Sequence, residues 1–103
     1  MGRFSREKPL RLAEKLKQIR TSLSLSQDGI LIRLGYQNTR IDRSNISHYE
    51  LGKLEPTLMV LYAYANLANV YVEVLIDDAL DLPSAIPADE KSFGRKHENY
   101  TSG

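Results

Sequence analysis

Four side chains in the stretch IDRSNISHYELGK, residues 41–53, have types and spacing suited to reading a polar surface. Arg43 and Ser47 are four apart, as are Ser44 and His48, so on a helix all four share one edge. Ile46 and Tyr49 take the opposite edge, with Ile41 just before them. An arginine offers five donors in a planar fork, a serine hydroxyl donates and accepts, and a neutral imidazole does one of each. Such a set suits hydrogen bonding to a partner rich in donors and acceptors. It does not suit catalysis. The two histidines, His48 and His97, lack metal-ligand spacing, and the chain has no cysteine, no Gly-rich phosphate loop and no nucleophile-elbow serine. Asp77 and Asp78 are adjacent, so on a helix they diverge, and IDDALD reads as a solvated helix end. No enzymatic activity, cofactor or metal is expected.

The charge distribution narrows the choice of partner. The formal net charge is only +1 over 103 residues. Residues 1–53 carry 11 Lys/Arg against 5 Asp/Glu, whereas residues 54–103 carry 3 against 8. A basic half of net +6 beside an acidic half of net −5 points to one face for a polyanion and a remainder that maintains solubility. A hydrophobic fraction of 42% is enough for one small core. No segment approaches the ~20 apolar residues of a membrane span, and the basic start has no apolar run behind it. A single soluble, cytoplasmic domain is the expectation.

Five helical segments would position the polar edge. PLRLAEKLKQIRTSL places Leu12, Leu16, Ile19 and Leu23 at helical spacing, with Arg11, Glu14, Lys15, Lys17 and Gln18 on the polar side. Ser26 caps a second helix that ends at Gly35, and Asp42 caps a third that stops at Gly52. Thr57 caps a fourth with Leu58, Leu61, Ala65 and Ala68 inward, closed by Asn69 in the left-handed conformation. YVEVLIDDAL is a shorter fifth, with Val72, Leu75 and Ile76 apolar. Residues 1–8 form a flexible basic arm, residues 9–82 the folded domain, and residues 83–103 a polar, disordered tail.

In this order, LxxxLxxIR in the first helix, LSQ opening the second, LG closing it, SxISxYExGKxEP across the third and ANV before the fifth resemble the Cro/phage-repressor (xenobiotic-response-element-like) helix-turn-helix family. The resemblance covers about Leu12 to Ile76. It implies an all-α, five-helix, lambda-repressor-like fold and a sequence-specific regulator of transcription that binds double-stranded DNA as a homodimer. The third helix would lie in the major groove, with Arg43, Ser44, Ser47 and His48 at base edges. Gln27 matches the family glutamine that meets the phosphate backbone, and Asn45, Lys53 and Arg40 are further phosphate candidates. Arg3, Arg6 and Lys8 could wrap the duplex. Glu50 follows Tyr49 on the inner edge, and the family pattern pairs its position with that of Arg20, so an Arg20–Glu50 ion pair should tie the first helix to the third.

The sequence also departs from the family. Gly35 to Ile46 spans eleven steps where the family usually has six, and YQNTR, residues 36–40, is the natural insertion. Leu31 stands where the family prefers alanine, at the closest approach of the two helices. Arg40, with Tyr36 or Gln37, could use the longer turn to touch the DNA backbone, or the turn could be a tolerated surface loop. An alternative function is an antitoxin or adaptor module whose main target is a protein, a toxin or the transcription machinery. For that role, or for a homodimer interface, Tyr62, Tyr64, Leu67, Tyr71 and Val74 offer apolar surface around the fourth and fifth helices.

Overall fold

Local capping chemistry sets most of the helix boundaries. The computed structural model describes residues 8–98, so Arg3 and Arg6 of the expected arm and residues 99–103 of the expected tail lie outside the described residues. Helix α1 spans Leu12–Ser22, α2 Gln27–Leu34, α3 Arg43–Glu50, α4 Leu58–Ala68 and α5 Glu73–Ile76. Ser26 and Thr57 accept from Gly29 N and Val60 N respectively, each satisfying an orphan donor of the first turn. Asp42 and Asn45 form a reciprocal capping box at the start of α3. Gly35 closes α2 at φ 88°, and Asn69 closes α4 at φ 58°, both in the left-handed region where a Cβ is least tolerated.

The helices bury one continuous core. Leu16, Ile19, Ile30, Ile46, Tyr64, Val74 and Leu75 have no exposed surface, and each aliphatic side chain so buried contributes about 1.5–3 kcal/mol relative to exposure. Helix α3 packs on α1 and α2, α4 bridges α2, α1 and α5, and α5 packs on α1. Among the described residues no helix is long and apolar enough to cross a membrane.

Several expectations need correction. The fold is not all-α, because strand β1, Leu80–Asp81, pairs antiparallel with β2, Arg95–Lys96. The segment after Pro83 is not a disordered tail over residues 83–98. It returns across the α4–α5 corner through a Val70–Ser92 bridge and bonds from Ala88 N to Ala68 O and from His97 N to Ala79 O. Leu82 is buried beneath it, and Phe93 stacks on Tyr71 with ring centroids 4.0 Å apart. These backbone pairings supply what a polar composition lacks in apolar area. Lastly, Leu58, expected on the inward stripe of the fourth helix, is 70% exposed, and the apolar Ile76 of the fifth is 45% exposed; Val60, Tyr64 and Val74 take the buried positions. Helix α4 is apolar nearly all round and α5 is a single turn, so spacing alone does not fix an inward face in either.

IDDALD is likewise not a solvated helix end. The Asp78 carboxylate accepts from Leu10 N at 2.9 Å and Arg11 N at 3.0 Å, supplying the cap that α1 lacks locally. Lys15, assigned by spacing to the polar side of α1, is 1% exposed, and its ammonium donates to Val74 O and Asp77 O at the end of α5. Burial, reinforced by the nearby Arg11 charge, lowers the Lys15 pKa.

Candidate functional site

The polar edge of α3 is outward because its reverse is fixed by the core. Ile46 is fully buried and Tyr49 is 4% exposed, and the eight-residue helix begins at the Asp42 capping box. Arg43, Ser44 and His48 are exposed, while Ser47 is half-buried on the same edge. The structure therefore brings the four together on one face. Ser44 is not wholly uncommitted: its hydroxyl donates to Asp42 Oδ1 at 2.6 Å, which leaves its lone pairs as acceptors. Hydrogen bonds from Ser44 and Asn45 hold the Asp42 carboxyl below its ordinary pKa.

A shallow groove runs between the starts of α2 and α3, with Gln27 and Asp28 on one wall, Arg43, Ser44 and Ser47 on the other, and Leu31 between. Leu31 is half-buried against the core, so the larger side chain at this crossing is accommodated between the helices. The Arg43 guanidinium lies 3.6 Å from Asp28, with both side chains about two-thirds exposed. An exposed pair of this kind contributes ~0–1 kcal/mol and is readily exchanged for a better partner.

The remaining candidates separate by role. Gln27 Nε2 donates to Glu50 Oε1 over a long 3.4 Å, so it supports the inner ion pair as well as facing the groove. Asn45 uses its Oδ1 to accept from Asp42 N, leaving its amino group for another acceptor. Lys53 and Arg40 are exposed. The turn carrying Arg40 is ordered by its own chemistry: Thr39 Oγ1 donates to Tyr36 O at 2.7 Å and accepts from Ile41 N at 3.1 Å. Tyr36 itself packs partly against the core. Gln37, Asn38 and Arg40 are exposed on that turn.

Arg20 and Glu50 meet beneath this surface. Arg20 Nε and Nη2 donate to the two Glu50 oxygens at 2.7 and 2.9 Å, and Nη1 donates to Leu25 O at 3.0 Å. Hydrogen bonding to Glu50 raises the Arg20 pKa above its already high value. The fork fixes α3 to α1 and to the entry of α2 at once, so the ion pair sets the angle at which the outer edge is presented.

The apolar surface expected around α4 and α5 is made by other residues than Tyr64 and Val74. Tyr64 and Val74 are fully buried, Tyr71 is covered by Phe93 on one side, and Lys91 Nζ stands 4.6 Å from the Tyr71 ring centroid. Tyr62, at 50%, remains exposed, joined by Leu58 and Met59, which sequence spacing did not nominate. Also missed was the cluster of Arg11, Asp81 and His97. Arg11 pairs with Asp81, and His97 Nδ1 lies 3.0 Å from the same carboxylate. Burial opposes ionisation of Asp81, but hydrogen bonds from Arg11 and His97 outweigh it and hold the carboxyl below its ordinary range. Nothing local in the sequence marks these partners. Among the described residues no group of three or more His, Cys, Asp or Glu side chains is placed to hold a metal ion.

Compared with protein-family models, curated protein sequences and solved structures, the chain finds no match.

Proposed function

We propose that this chain is a sequence-specific, double-stranded DNA-binding regulator of transcription with a lambda-repressor-like helix-turn-helix, acting as a homodimer. In this reading α3 enters the major groove, which is wide enough for a helix and displays a distinct donor and acceptor pattern for each base pair. One observation carries it: the edge of α3 bearing Arg43, Ser44, Ser47 and His48 faces outward while Ile46 and Tyr49 lock its reverse into the core. Exposed helix faces without such a role tend toward Glu and Lys, and this edge has neither.

Magnitudes favour Arg43 as the main base reader. A bidentate contact to guanine O6 and N7 provides ~1–3 kcal/mol of discrimination, more than the exposed Asp28 pair can retain. Gln27, Asn45, Lys53 and Arg40 would then meet phosphates on either side of α3 and set register. The Asp28 carboxylate is the unfavourable element, and its removal should help binding to any duplex.

Selection of bound fragments from random duplex DNA, followed by titration across ionic strength, tests the reading. We expect a defined site and an affinity that falls steeply with salt. Arg43→Ala should relax preference at one base position, Gln27→Ala should weaken all sites alike, and Asp28→Asn should tighten all sites. A folded protein that binds no duplex at low ionic strength overturns the proposal.

A further inference from the structure

A second cleft lies away from the edge of α3, where the starts of α1 and α4 meet the end of α5. It encloses about 630 Å³, within the range of sites that hold a few side chains of a ligand. Its floor is the core itself, Leu12 and Leu61, and two large aliphatic side chains at its mouth, Leu58 and Ile76, stay 70% and 45% exposed. Exposed leucine and isoleucine beside a cleft form an apolar patch that gains from being covered. Around them stand four carboxylates, Glu55, Glu73, Asp77 and Asp78, against one cation of the lining, Lys8, so the rim is net acidic.

We infer that this cleft docks a basic, apolar segment of a partner protein: an aliphatic or aromatic side chain over Leu12 and Leu61, flanked by Lys or Arg that meet Glu73 and Asp77. The carboxylates decide among occupants. DNA is repelled by them. A second copy in a two-fold contact would bring the same net-acidic patch, with Lys8 as its one cation, against this one, a net repulsion, because a two-fold interface presents the same patch from both sides. A neutral apolar segment would bury the leucines but strand the carboxylates without counter-charge. A basic segment satisfies both layers. Asp78 already accepts from Leu10 N and Arg11 N, so it shapes the rim and adds field; Glu73 and Asp77 are exposed for direct pairing, Asp77 through the oxygen that does not accept from Ala79 N. The site is separate from the edge of α3, and it stands whether or not the chain binds DNA.

The test uses the full chain and three end-blocked synthetic peptides: alternating leucine and arginine, the same with leucine replaced by serine, and the same with arginine replaced by glutamate. Binding is read from amide chemical shifts. The Leu/Arg peptide should shift Leu12, Leu58, Leu61 and Ile76, and the other two should not. Glu73→Lys and Leu58→Ser should each weaken that peptide at least about tenfold, as expected for loss of a central anchor or a facing charge. Both positions are exposed, so both variants should fold. Equal binding of the serine peptide, unchanged affinity in either variant, or peptide binding that appears only after removal of residues 1–7 overturns the proposal. So does a concentration-dependent shift of the same four residues without peptide, which would make the occupant a second copy.

Discussion

Replacing Arg20 by Met keeps the length of the side chain and removes the fork that joins α1 to α3. Two hydrogen bonds to Glu50 and one to Leu25 O disappear together. The Glu50 side chain is 4% exposed, so its charge would be left buried with only the long Gln27 contact. Stranding a buried charge costs about 3–5 kcal/mol. The Arg20 side chain is 15% exposed, which admits water along one side and places the loss near the lower end, about 3 kcal/mol. At roughly 4–8 °C per kcal/mol for a domain of this size, the Tm should fall by about 12–24 °C. Thermal unfolding followed by far-ultraviolet circular dichroism measures this directly. The companion variant Arg20→Met/Glu50→Met removes both charges and should recover at least half of the loss, because the penalty lies in the unpaired carboxylate. A Tm for Arg20→Met within about 3 °C of the parent, or a double variant less stable than the single one, would refute the reasoning.

Tyr64→Phe should leave stability unchanged or raise it by up to about 1–2 kcal/mol, since the buried Tyr64 hydroxyl has no hydrogen-bond partner among the described residues and burial drives its pKa strongly upward; a clear loss in chemical denaturation contradicts this. Gly94→Ala should destabilise by at least about 2 kcal/mol, because at φ 76° a Cβ would collide with the Asp81 carbonyl oxygen and press on Val74. Calorimetry of that variant should show a lower Tm, and parent-like unfolding would mean that the β1–β2 crossing relaxes freely. The lowered pKa of Asp81 means that its contribution is present above the ordinary carboxylate pKa and lost as pH falls through the folded-state value. Asp81→Asn should therefore lose less stability than the parent as pH falls below the ordinary carboxylate value of 3.8, and parallel pH profiles there would exclude Asp81 as a source of acid sensitivity.

What sequence reveals here follows the range of the interaction. Ser26, Asp42, Thr57, Gly35 and Asn69 act on backbone groups within a few residues, so residue type and position announce each boundary. The outward edge of α3 is legible for the same reason, since Ile46 and Tyr49 fix one side and helical geometry fixes the other. The Arg20–Glu50 contact spans thirty positions and became visible only through a resemblance in pattern. Lys15 shows the limit. A lysine at a polar helix position is ordinarily solvated, and only the carbonyls at the end of α5, supplied from far along the chain, make its burial tolerable. The order of residues 83–98 is not legible in the sequence, because backbone bridges, one carboxylate cluster and a single ring stack anchor the segment, and none of these has a hydrophobic period.

The carboxylate of Asp81 has a wider effect than the two contacts it makes. It holds Arg11, at the threshold of α1, and His97, after β2, so the described chain returns to where it began and closes on itself like a clasped bracelet. Fraying from either side must open the same clasp, which couples the outermost segments into one cooperative event. The exposed surface turn at 36–40, away from this clasp, offers a place for new ends in a circularly permuted chain.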